Sequence, residues 1–271
     1  MPSGCSAVLR IAGILLLGGA SKRYGRPKAL EKLGDRTFLE IVFKTLSLVS
    51  DEVFVSYSDK TPLEAVELAK RLGGVLVYDR DLPCNGPPRG IASIASNSED
   101  VDWFYIIAVD HPFTSMELLE RLKDISLKYK VNAATPLTAK DYPMVTLGFI
   151  DSETLSRFKD ACMVKKEFSR VTDLYRGASR TLYVGWSMLT SNPRTMFNVN
   201  TPNPGNASVP PLYESVIAEG NIFSKAITCL EQGDHGCAAR EFMLESDMYY
   251  SLGITLLGDH AFRDAERFSV I

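Results

Sequence analysis

The chain has 271 residues, a formal net charge of −3 and 45% hydrophobic residues, as in globular proteins that bury a sizeable core. This charge gives no reason to expect nucleic acid or an anionic membrane as a partner, and no apolar run is long enough for a transmembrane helix. The five cysteines form no C-x-x-C pair, and their odd number argues against a disulfide framework. Together these features predict a cytoplasmic protein.

The first element is a short apolar run, residues 11–17, which ends at a glycine pair. A run of this length that is bounded by glycine predicts a buried strand. Gly18 and Gly19 allow a sharp turn whose backbone N–H groups can approach an anion closely. Arg23 and Lys28 then add a planar fork and a mobile point charge. The sequence therefore predicts a loop that wraps a polyphosphate.

Two common phosphate loops do not fit this spacing. No Gly-Lys-Ser/Thr follows the first glycine at the Walker distance, and the loop glycines do not form G-x-G-x-x-G. A secretory signal is a third alternative, because small residues follow the apolar core. Arg10 is the one charged residue in the segment before that core, whereas Lys22 and Arg23 come soon after it. This pattern disfavours a signal peptide.

Helix-like and strand-like segments alternate along the next part of the chain. The pattern predicts, in order, a helix over 37–49, a strand over 52–57, a helix over 62–72, and strands over 75–78 and 103–109. Such alternation is typical of a mostly parallel sheet covered by helices, with the ligand at the carboxyl ends of the strands. Further strands, expected to be antiparallel edge strands, are predicted over 144–150 and 181–186.

Two aspartates, Asp79 and Asp110, each follow an apolar strand, so both belong to the ligand edge of the predicted sheet. A carboxylate at this edge suits Mg²⁺, which keeps several waters and binds phosphate oxygens. The alternative for Asp110 is a cap for the helix that follows it. That alternative is disfavoured because Thr114 or Ser115 can already serve as the cap.

The extended segment that contains Asn198 and Asn200 places both side chains on one face. Their amide oxygens can ligate magnesium or a phosphate-bearing substrate. Taken alone, the string is more typical of a turn with an Asx motif. Its position after a complete α/β domain favours the ligand role.

The segment Gly86-Pro87-Pro88-Arg89-Gly90 is a second loop with a possible role in binding. The prolines stiffen the loop, and the helix expected from Gly90 onward can face an anion with its N-terminus. Strings of proline and glycine are usually ordinary loops, and that alternative stays open.

The end of the chain differs from the rest. Beyond a turn-rich stretch near residue 200, residues 213–271 contain no proline and are predicted to be helical throughout. Gly233-Asp234-His235 recurs as Gly258-Asp259-His260, which predicts two helical hairpins similar to tetratricopeptide repeats. So few repeats seldom form a self-standing solenoid. We therefore expect the tail to pack on the main domain, on a second copy of the chain, or on a protein partner.

The motif G-G-x-S-x-R-x-G-x-x-K-A-L, which starts at Gly18, resembles the signature of nucleotidyltransferases with a GT-A-like Rossmann fold. It is most similar to that of the MobA-type molybdopterin guanylyltransferases. Asp110-His111-Pro112 matches the family's metal-binding D-x-P, and N-x-N-T-P from Asn198 matches the end of the family's domain. The resemblance covers about residues 10–205. It implies a three-layer α/β fold with a mostly parallel sheet, to which this chain adds a small all-α domain.

The resemblance implies that the chain transfers GMP from GTP to the phosphate of molybdopterin, with Mg²⁺ as cofactor and pyrophosphate as product. Lys28, Arg23 and Asp110 are the implied catalytic residues. The implied nucleotide-binding residues are Leu17, Gly18, Gly19, Ser21, Arg23, Lys28, Asp79, Gly86 and Asp110. The implied acceptor-binding residues are Arg89, Gly90, Asp141, Pro143, Asn198 and Asn200, and the implied metal ligands are Asp110 and Asn200.

Three domain segments follow from these patterns: a nucleotidyltransferase domain over 1–205, a linker over 206–212 and a helical tail over 213–271. Two functional alternatives stay open. The same loop serves cytidylyltransferases of the molybdenum cofactor and guanylyltransferases of other cofactor precursors, and a scaffold that binds nucleotide without catalysis belongs to a different class. The chain also departs from the family at Tyr24, usually Met, and at Pro27, usually Asp.

Overall fold

The computed structural model describes residues 9–17, 27–139, 142–199 and 214–269. The strands are β1 (Ile11–Leu16), β2 (Lys32–Leu33), β3 (Arg36–Thr37), β4 (Glu52–Tyr57), β5 (Val75–Tyr78), β6 (Trp103–Ala108), β7 (Ala133–Ala139), β8 (Tyr142–Pro143), β9 (Leu147–Asp151), β10 (Arg180–Gly185) and β11 (Val216–Glu219). The α-helices are α1 (Phe38–Ser47), α2 (Leu63–Arg71), α3 (Pro87–Ala95), α4 (Met116–Tyr129), α5 (Ser152–Lys165), α6 (Thr172–Arg176), α7 (Asn221–Glu231), α8 (His235–Ser251) and α9 (Thr255–Ser269).

Nine strands of the described residues form one sheet in the order β11-β10-β7-β9-β6-β1-β4-β5, with β8 paired to β7. Strands β5, β4, β1 and β6 are parallel, and so are β7 and β10. Strand β9 runs antiparallel to both β6 and β7, so the two parallel blocks point the same way. The predicted mostly parallel sheet is confirmed. Strands β2 and β3 form a separate two-stranded hairpin.

The prediction of two antiparallel edge strands is wrong in the position of both strands and in the direction of the second, because β10 runs parallel to β7. Strand β9 is antiparallel but lies between β6 and β7, and β10 lies between β7 and β11. The reason is that β7 and β11, which the hydrophobic pattern does not predict, extend the sheet past both strands. Strand β7 contains Pro136 and small residues, which give little strand signal.

Helices cover both faces of the sheet, which makes the fold three-layered. Alternate residues of β1 show this: Leu15 packs in the layer with α1, α2 and α4, whereas Ile14 packs in the layer with α3, α5 and α6. Local signals start two of the predicted helices, α1 and α4. Thr37 and Glu40 form a capping box at the start of α1, and the Ser115 side chain caps α4.

The tail combines one strand with three helices. Strand β11 pairs antiparallel with β10, so the expectation of helix throughout 213–271 is wrong for Val216–Glu219. The two Gly-Asp-His strings are also not equivalent: Asp234 caps the start of α8, whereas Asp259 lies inside α9. Helix α7 packs on α8 and α8 packs on α9, and α7 and α9 lie against α5 and β8 respectively. The predicted domain boundary falls within residues 200–213, outside the described residues, and stays a prediction.

A set of buried charged side chains joins the tail to α5 and α6. We call it the buried ion cluster, and its members are Lys165, Arg170, Asp173, Arg176, Glu245 and Asp264. Arg176 pairs with Glu245 at 2.7 Å and with Asp264 at 2.8 Å, and Lys165 pairs with Asp264 at 2.7 Å. Arg170, the one half-buried member, also pairs with Asp264. The three cations and three carboxylates balance, as buried charges require.

Two aromatic rings complete the surroundings of this cluster. The guanidinium of Arg176 lies 4.7 Å from the ring centroid of Phe223, and Phe242 lies close by on α8. Although burial opposes the charged form, the three neighbouring carboxylates raise the pKa of Arg176 well above its usual value. Lys165, Arg170 and Arg176 likewise lower the pKa of Asp264 against the effect of burial. The surroundings therefore favour the charged forms of Arg176 and Asp264, whereas burial raises the pKa of Glu245 against the effect of Arg176.

Two cysteine pairs are disulfide-bonded, contrary to the expectation from the odd cysteine count. Cys84, before α3, is bonded to Cys162 on α5, with Cα atoms 5.4 Å apart. Cys229 on α7 is bonded to Cys237 on α8, with Cα atoms 5.7 Å apart. The first bond links the loop after β5 to helix α5. The second links the two helices on either side of the α7–α8 turn. Among the described helices, none is both long and apolar enough to cross a membrane.

Candidate active site

The carboxyl ends of the parallel strands meet at one edge of the sheet, where ligands bind in open α/β folds. Lys28 and Asp110 come together at this edge after β1 and β6, with the ammonium 3.0 Å from Asp110 Oδ2. Pro27 begins the single helical turn that carries Lys28, because its carbonyl accepts a hydrogen bond from the Leu30 backbone N–H. The side chains of Lys28 and Asp110 are 15% and 20% exposed, so both remain accessible to a ligand.

The segment with Asn198 reaches the same place. The backbone N–H of Val199 donates a hydrogen bond of 2.7 Å to the carbonyl of Asp110. Val199 is buried while Asn198 is exposed, as expected for alternating side chains in an extended segment. The structure therefore brings Lys28, Asp110 and Asn198 to one edge. Asn200 lies outside the described residues.

His111 lies directly behind the carboxylate of Asp110. Its Nε2 is 3.8 Å from Asp110 Oδ1 and 2.9 Å from the hydroxyl oxygen of Thr146. Burial lowers the pKa of His111, since the opposing effect of Asp110 is smaller. The ring is thus a neutral hydrogen-bonding group at physiological pH.

A second part of the site lies at the end of β5. The hydroxyl of Ser56 donates a hydrogen bond of 2.7 Å to Asp79, and burial raises the pKa of the Asp79 carboxyl. Helix α3 packs closely here: a Cβ at Gly90 would lie 2.1 Å from Ser56 Oγ and 3.1 Å from Asp79 Oδ1. Glycine at position 90 is what allows the helix to approach Asp79.

The loop before α3 is organised by its own contacts. Gly86 has a φ of +66°, in the region that favours glycine, and the helix begins at Pro87 rather than at Gly90. Proline is well suited to this first helical position. Arg89 donates hydrogen bonds to the Cys84 carbonyl and to Asn85 Oδ1. Its guanidinium therefore faces back to the loop, and must change partners to reach a phosphate.

Of the remaining predicted site residues, two are buried near the site and the others lie outside the described residues. Leu17 is buried in the core directly after β1, and Pro143 is buried in β8 opposite Leu137 of β7. Both can position neighbouring backbone. The structure does not describe Gly18, Gly19, Ser21, Arg23 and Asp141.

The donor set at the sheet edge fits a magnesium ion that is shared with substrate. Asp110 supplies a partly exposed carboxylate, and the segment with Asn198 lies beside it. No group of three or more metal-ligating side chains of the His, Cys, Asp or Glu type occurs within the described ranges. Magnesium commonly binds through one or two carboxylates plus substrate phosphates and waters, rather than in a cage of side chains.

Sequence reasoning missed Ser56 and Thr146. Ser56 carries a weak signal, because it is a polar residue in the apolar strand β4. Thr146 carries no local signal, since its contact with His111 depends on the pairing of β9 with β6. The sequence-based prediction also missed Lys165, which lies on the buried face of α5 with Phe158 and Cys162.

Comparison with known proteins adds an independent finding. Residues 13–180 match the family model of the MobA-like NTP transferase domain. A curated relative, a probable molybdenum cofactor guanylyltransferase of Geobacillus sp. (strain WCH70), is 24% identical over 197 residues, which cover 72% of this chain and 95% of the relative. A protein of the same description from Bacillus cereus (strain ZK / E33L) is 36% identical over 110 residues. That match covers 40% of this chain and 52% of the relative, so it spans about half of the latter's length.

Solved structures give a matching fold. The crystal structure of molybdopterin-guanine dinucleotide biosynthesis protein A from Archaeoglobus fulgidus has a TM-score of 0.57 and 21% sequence identity. The match covers 70% of this chain and 93% of that one. At this identity the likeness concerns the fold alone. The family match includes Lys28, Asp79 and Asp110 and ends before β11 and the tail helices.

Proposed function

Because the chain belongs to the MobA-like NTP transferase family, and is thus a nucleotidyltransferase, we propose that it joins GMP from GTP to the phosphate of molybdopterin. The observation that carries the proposal is the pairing of Lys28 with Asp110 at 3.0 Å, at the sheet edge where β1 and β6 end. One mobile cation and one accessible carboxylate at this edge suit a nucleoside triphosphate that arrives with a metal ion. The names of the relatives, which give a guanylyltransferase of the molybdenum cofactor, support the choice of substrates.

The triphosphate is held by the loop after β1, through Gly18, Gly19, Ser21 and Arg23, and by Lys28. Asp79, held by Ser56, accepts hydrogen bonds from N1–H and the 2-amino group of guanine, which adenine cannot provide. The acceptor lies toward β8 and the Asn198 segment, with Arg89, Gly90, Asp141, Pro143 and Asn200 contributing. These assignments follow the matched motifs and the strand order.

In the reaction, an oxygen of the acceptor phosphate attacks the α-phosphorus of GTP, and the bond from that phosphorus to the bridging oxygen of the β-phosphate breaks. Pyrophosphate leaves with the electron pair of that bond. Lys28 stabilises the negative charge that develops on the phosphates, and the loop and Asn198 orient the reactants in line. Enzymes of this family generally use a divalent metal; we propose Mg²⁺, held by Asp110 and Asn200, which neutralises phosphate charge when bound.

Pyrophosphate release tests this proposal directly. Wild-type protein with Mg²⁺ and molybdopterin should release pyrophosphate from GTP, and much less from CTP. Lys28→Met should lower kcat/KM about 10³-fold, since it removes a charge that acts on the transferred phosphates. Lys32→Met, which removes an exposed lysine in the neighbouring hairpin, is the matched control.

Two other outcomes have distinct meanings. A preference for CTP would assign the chain to the cytidylyltransferases. The absence of pyrophosphate release with either nucleotide, combined with nucleotide binding that does not depend on Mg²⁺, would favour the scaffold alternative.

A further inference from the structure

Thr146 lies on the opposite side of Asp110 from the end of β1. Strand β6, which leads into Asp110, has β1 on one side and β9 on the other. Strand β1 ends at the phosphate loop, and Thr146 directly precedes β9 at the same edge of the sheet. An in-line transfer needs the acceptor phosphate and the leaving pyrophosphate on opposite sides of the α-phosphorus. With the triphosphate held at the end of β1, as proposed above, we expect the acceptor on the side of β9.

The hydroxyl of Thr146 is held by a buried imidazole. His111 Nε2 lies 2.9 Å from Thr146 Oγ1, whereas His111 Nδ1 is buried and has no hydrogen-bond partner among the described residues. A proton on Nδ1 would bury a donor without an acceptor, which costs more than burying a bare lone pair. The proton therefore belongs on Nε2, which donates to Thr146 Oγ1. The hydroxyl proton of Thr146 is then free to be donated to another group.

The backbone on both sides of Thr146 is fixed as well. The Thr146 carbonyl accepts a hydrogen bond from the Ala108 backbone N–H. The preceding carbonyl, that of Val145, accepts one from the Tyr175 hydroxyl at 3.0 Å. Tyr175 fits this place because Gly148 lacks a Cβ, which would lie 2.2 Å from the tyrosine oxygen. Thr146 is half-buried, so part of this fixed residue lies at the surface of the sheet edge.

We propose that the Thr146 hydroxyl donates a hydrogen bond to the phosphomonoester of the acceptor substrate, and that His111 is the positioning residue that orients this hydroxyl. The inference rests on the proposed function, because it names a contact to the second substrate of that reaction. It requires no proton transfer: Nε2–H donates to Oγ1, and Oγ1–H donates to a phosphate oxygen. Hydrogen bonds to charged groups are stronger than those between neutral groups, so loss of this one should be measurable.

The test uses variants that change hydrogen bonding with little change in shape. Thr146→Val removes the hydroxyl and should lower kcat/KM for molybdopterin about tenfold to hundredfold, with the KM for GTP within about twofold of wild type. Thr146→Ser keeps the hydroxyl and should stay near wild type. His111→Leu should act like Thr146→Val, and His111→Gln, which offers an N–H donor, should recover part of the loss. Thr45→Val, at a half-buried threonine of α1, is the control.

A binding measurement separates this inference from the proposed function. Inorganic phosphate, as a probe of a phosphomonoester site, is titrated by calorimetry into protein that holds Mg²⁺ and a non-transferable GTP analogue. Thr146→Val should weaken phosphate binding about tenfold. If the wild type releases no pyrophosphate, the proposed function fails. If Thr146→Val binds phosphate as wild type does, or affects GTP as much as the acceptor, the role of Thr146 is overturned.

Discussion

Lys28 and Asp110 at the sheet edge form an ion pair, and the members of the buried ion cluster under the tail helices also form ion pairs. Water reaches both side chains of the edge pair, whereas in the cluster Arg170 is the one side chain with substantial exposure. The edge pair consists of two side chains that remain partly exposed. In the cluster, Arg176, Lys165 and Asp173 have no exposed side-chain surface, and each finds an opposite charge within the protein. Charges that must exchange partners with a substrate stay accessible, whereas charges that hold two regions together are sealed and balanced.

The sharpest test of this difference is Asp110→Asn. Loss of the carboxylate should lower kcat/KM for GTP by on the order of 10³-fold. The reason is that the amide no longer supplies the negative charge that would hold a metal ion against the phosphates. The free energy of unfolding, measured with urea, should change by less than about 1 kcal/mol, since the side chain is partly exposed. Asp100→Asn, at a carboxylate 90% exposed, is the control. A large loss of stability in Asp110→Asn would mean that the edge pair is structural.

The converse variant is Arg176→Met in the buried ion cluster. It leaves Glu245, Asp173 and Asp264 with too little positive charge and should destabilise the protein by about 3–5 kcal/mol, measured by urea unfolding. The folded fraction should keep nearly normal kcat/KM. Arg10→Met, which breaks the exposed pair of Arg10 with Glu52, should cost no more than about 1 kcal/mol. Equal costs for the two variants would contradict the distinction between sealed and accessible charges.

Gly90→Ala tests the other half of the site, where packing rather than charge sets the geometry. The added Cβ would meet the end of the Ser56 side chain and then Asp79, so helix α3 must shift away from the carboxylate. We expect the KM for GTP to rise about tenfold, the equivalent of about 1.4 kcal/mol, with a smaller change in stability. An unchanged KM for GTP would show that Asp79 has no role in nucleotide binding.

The smallest expected effect is a pH dependence at the tail interface. Burial, with help from the guanidinium groups of Arg170 and Arg176, lowers the pKa of His260 from 6.5 to about 4. Above pH 6.5 His260 is neutral in both the folded and the unfolded chain, so it contributes nothing to the pH dependence of stability. As the pH falls from 6.5 to 4, the unfolded chain takes up a proton that the folded chain does not, so stability falls.

His260 is partly exposed, so we expect a loss on the order of 1 kcal/mol from it. The measurement is urea unfolding at pH 7 and pH 4.5 for wild type and His260→Gln. Glutamine can still hydrogen-bond Thr172, which pairs with His260 at 2.9 Å, but it does not titrate. An equal loss in both proteins would assign the pH effect to other groups, of which buried His111 is one.

Much of the fold is predictable from hydrophobic pattern and local signals. The strands after Asp51 and Gly74, and helix α1 with its capping box, lie where period and caps indicate. Strand β7, by contrast, is built from alanines, threonines and a proline and becomes a strand through pairing with β9 and β10. The tail strand β11 is short and depends on β10 in the same way. Tertiary pairing decides such segments, and their own composition does not.

The site shows the same limit. Asp79 and Asp110 are predictable because each follows a strand, and parallel strands bring their ends to one edge. Thr146 and Ser56 become visible only when the strand order and the approach of α3 are known. The buried ion cluster joins residues up to 99 positions apart in the chain, and charged residues on a helix usually indicate a solvated face. Lys165 is an exception because its partners, Asp173 on α6 and Asp264 in the tail, come from other elements of the fold.

The pairing of β11 with β10 has a consequence for any shortened form of the protein. Removal of residues after 199 would uncover the backbone N–H and C=O groups of β10 along Arg180–Tyr183, which β11 now occupies. An open strand edge of this kind recruits strands from other molecules and promotes aggregation. The same cut would strip Arg176 of Glu245 and Asp264. The tail thus covers the edge of β10 and makes β11 the end strand of the sheet.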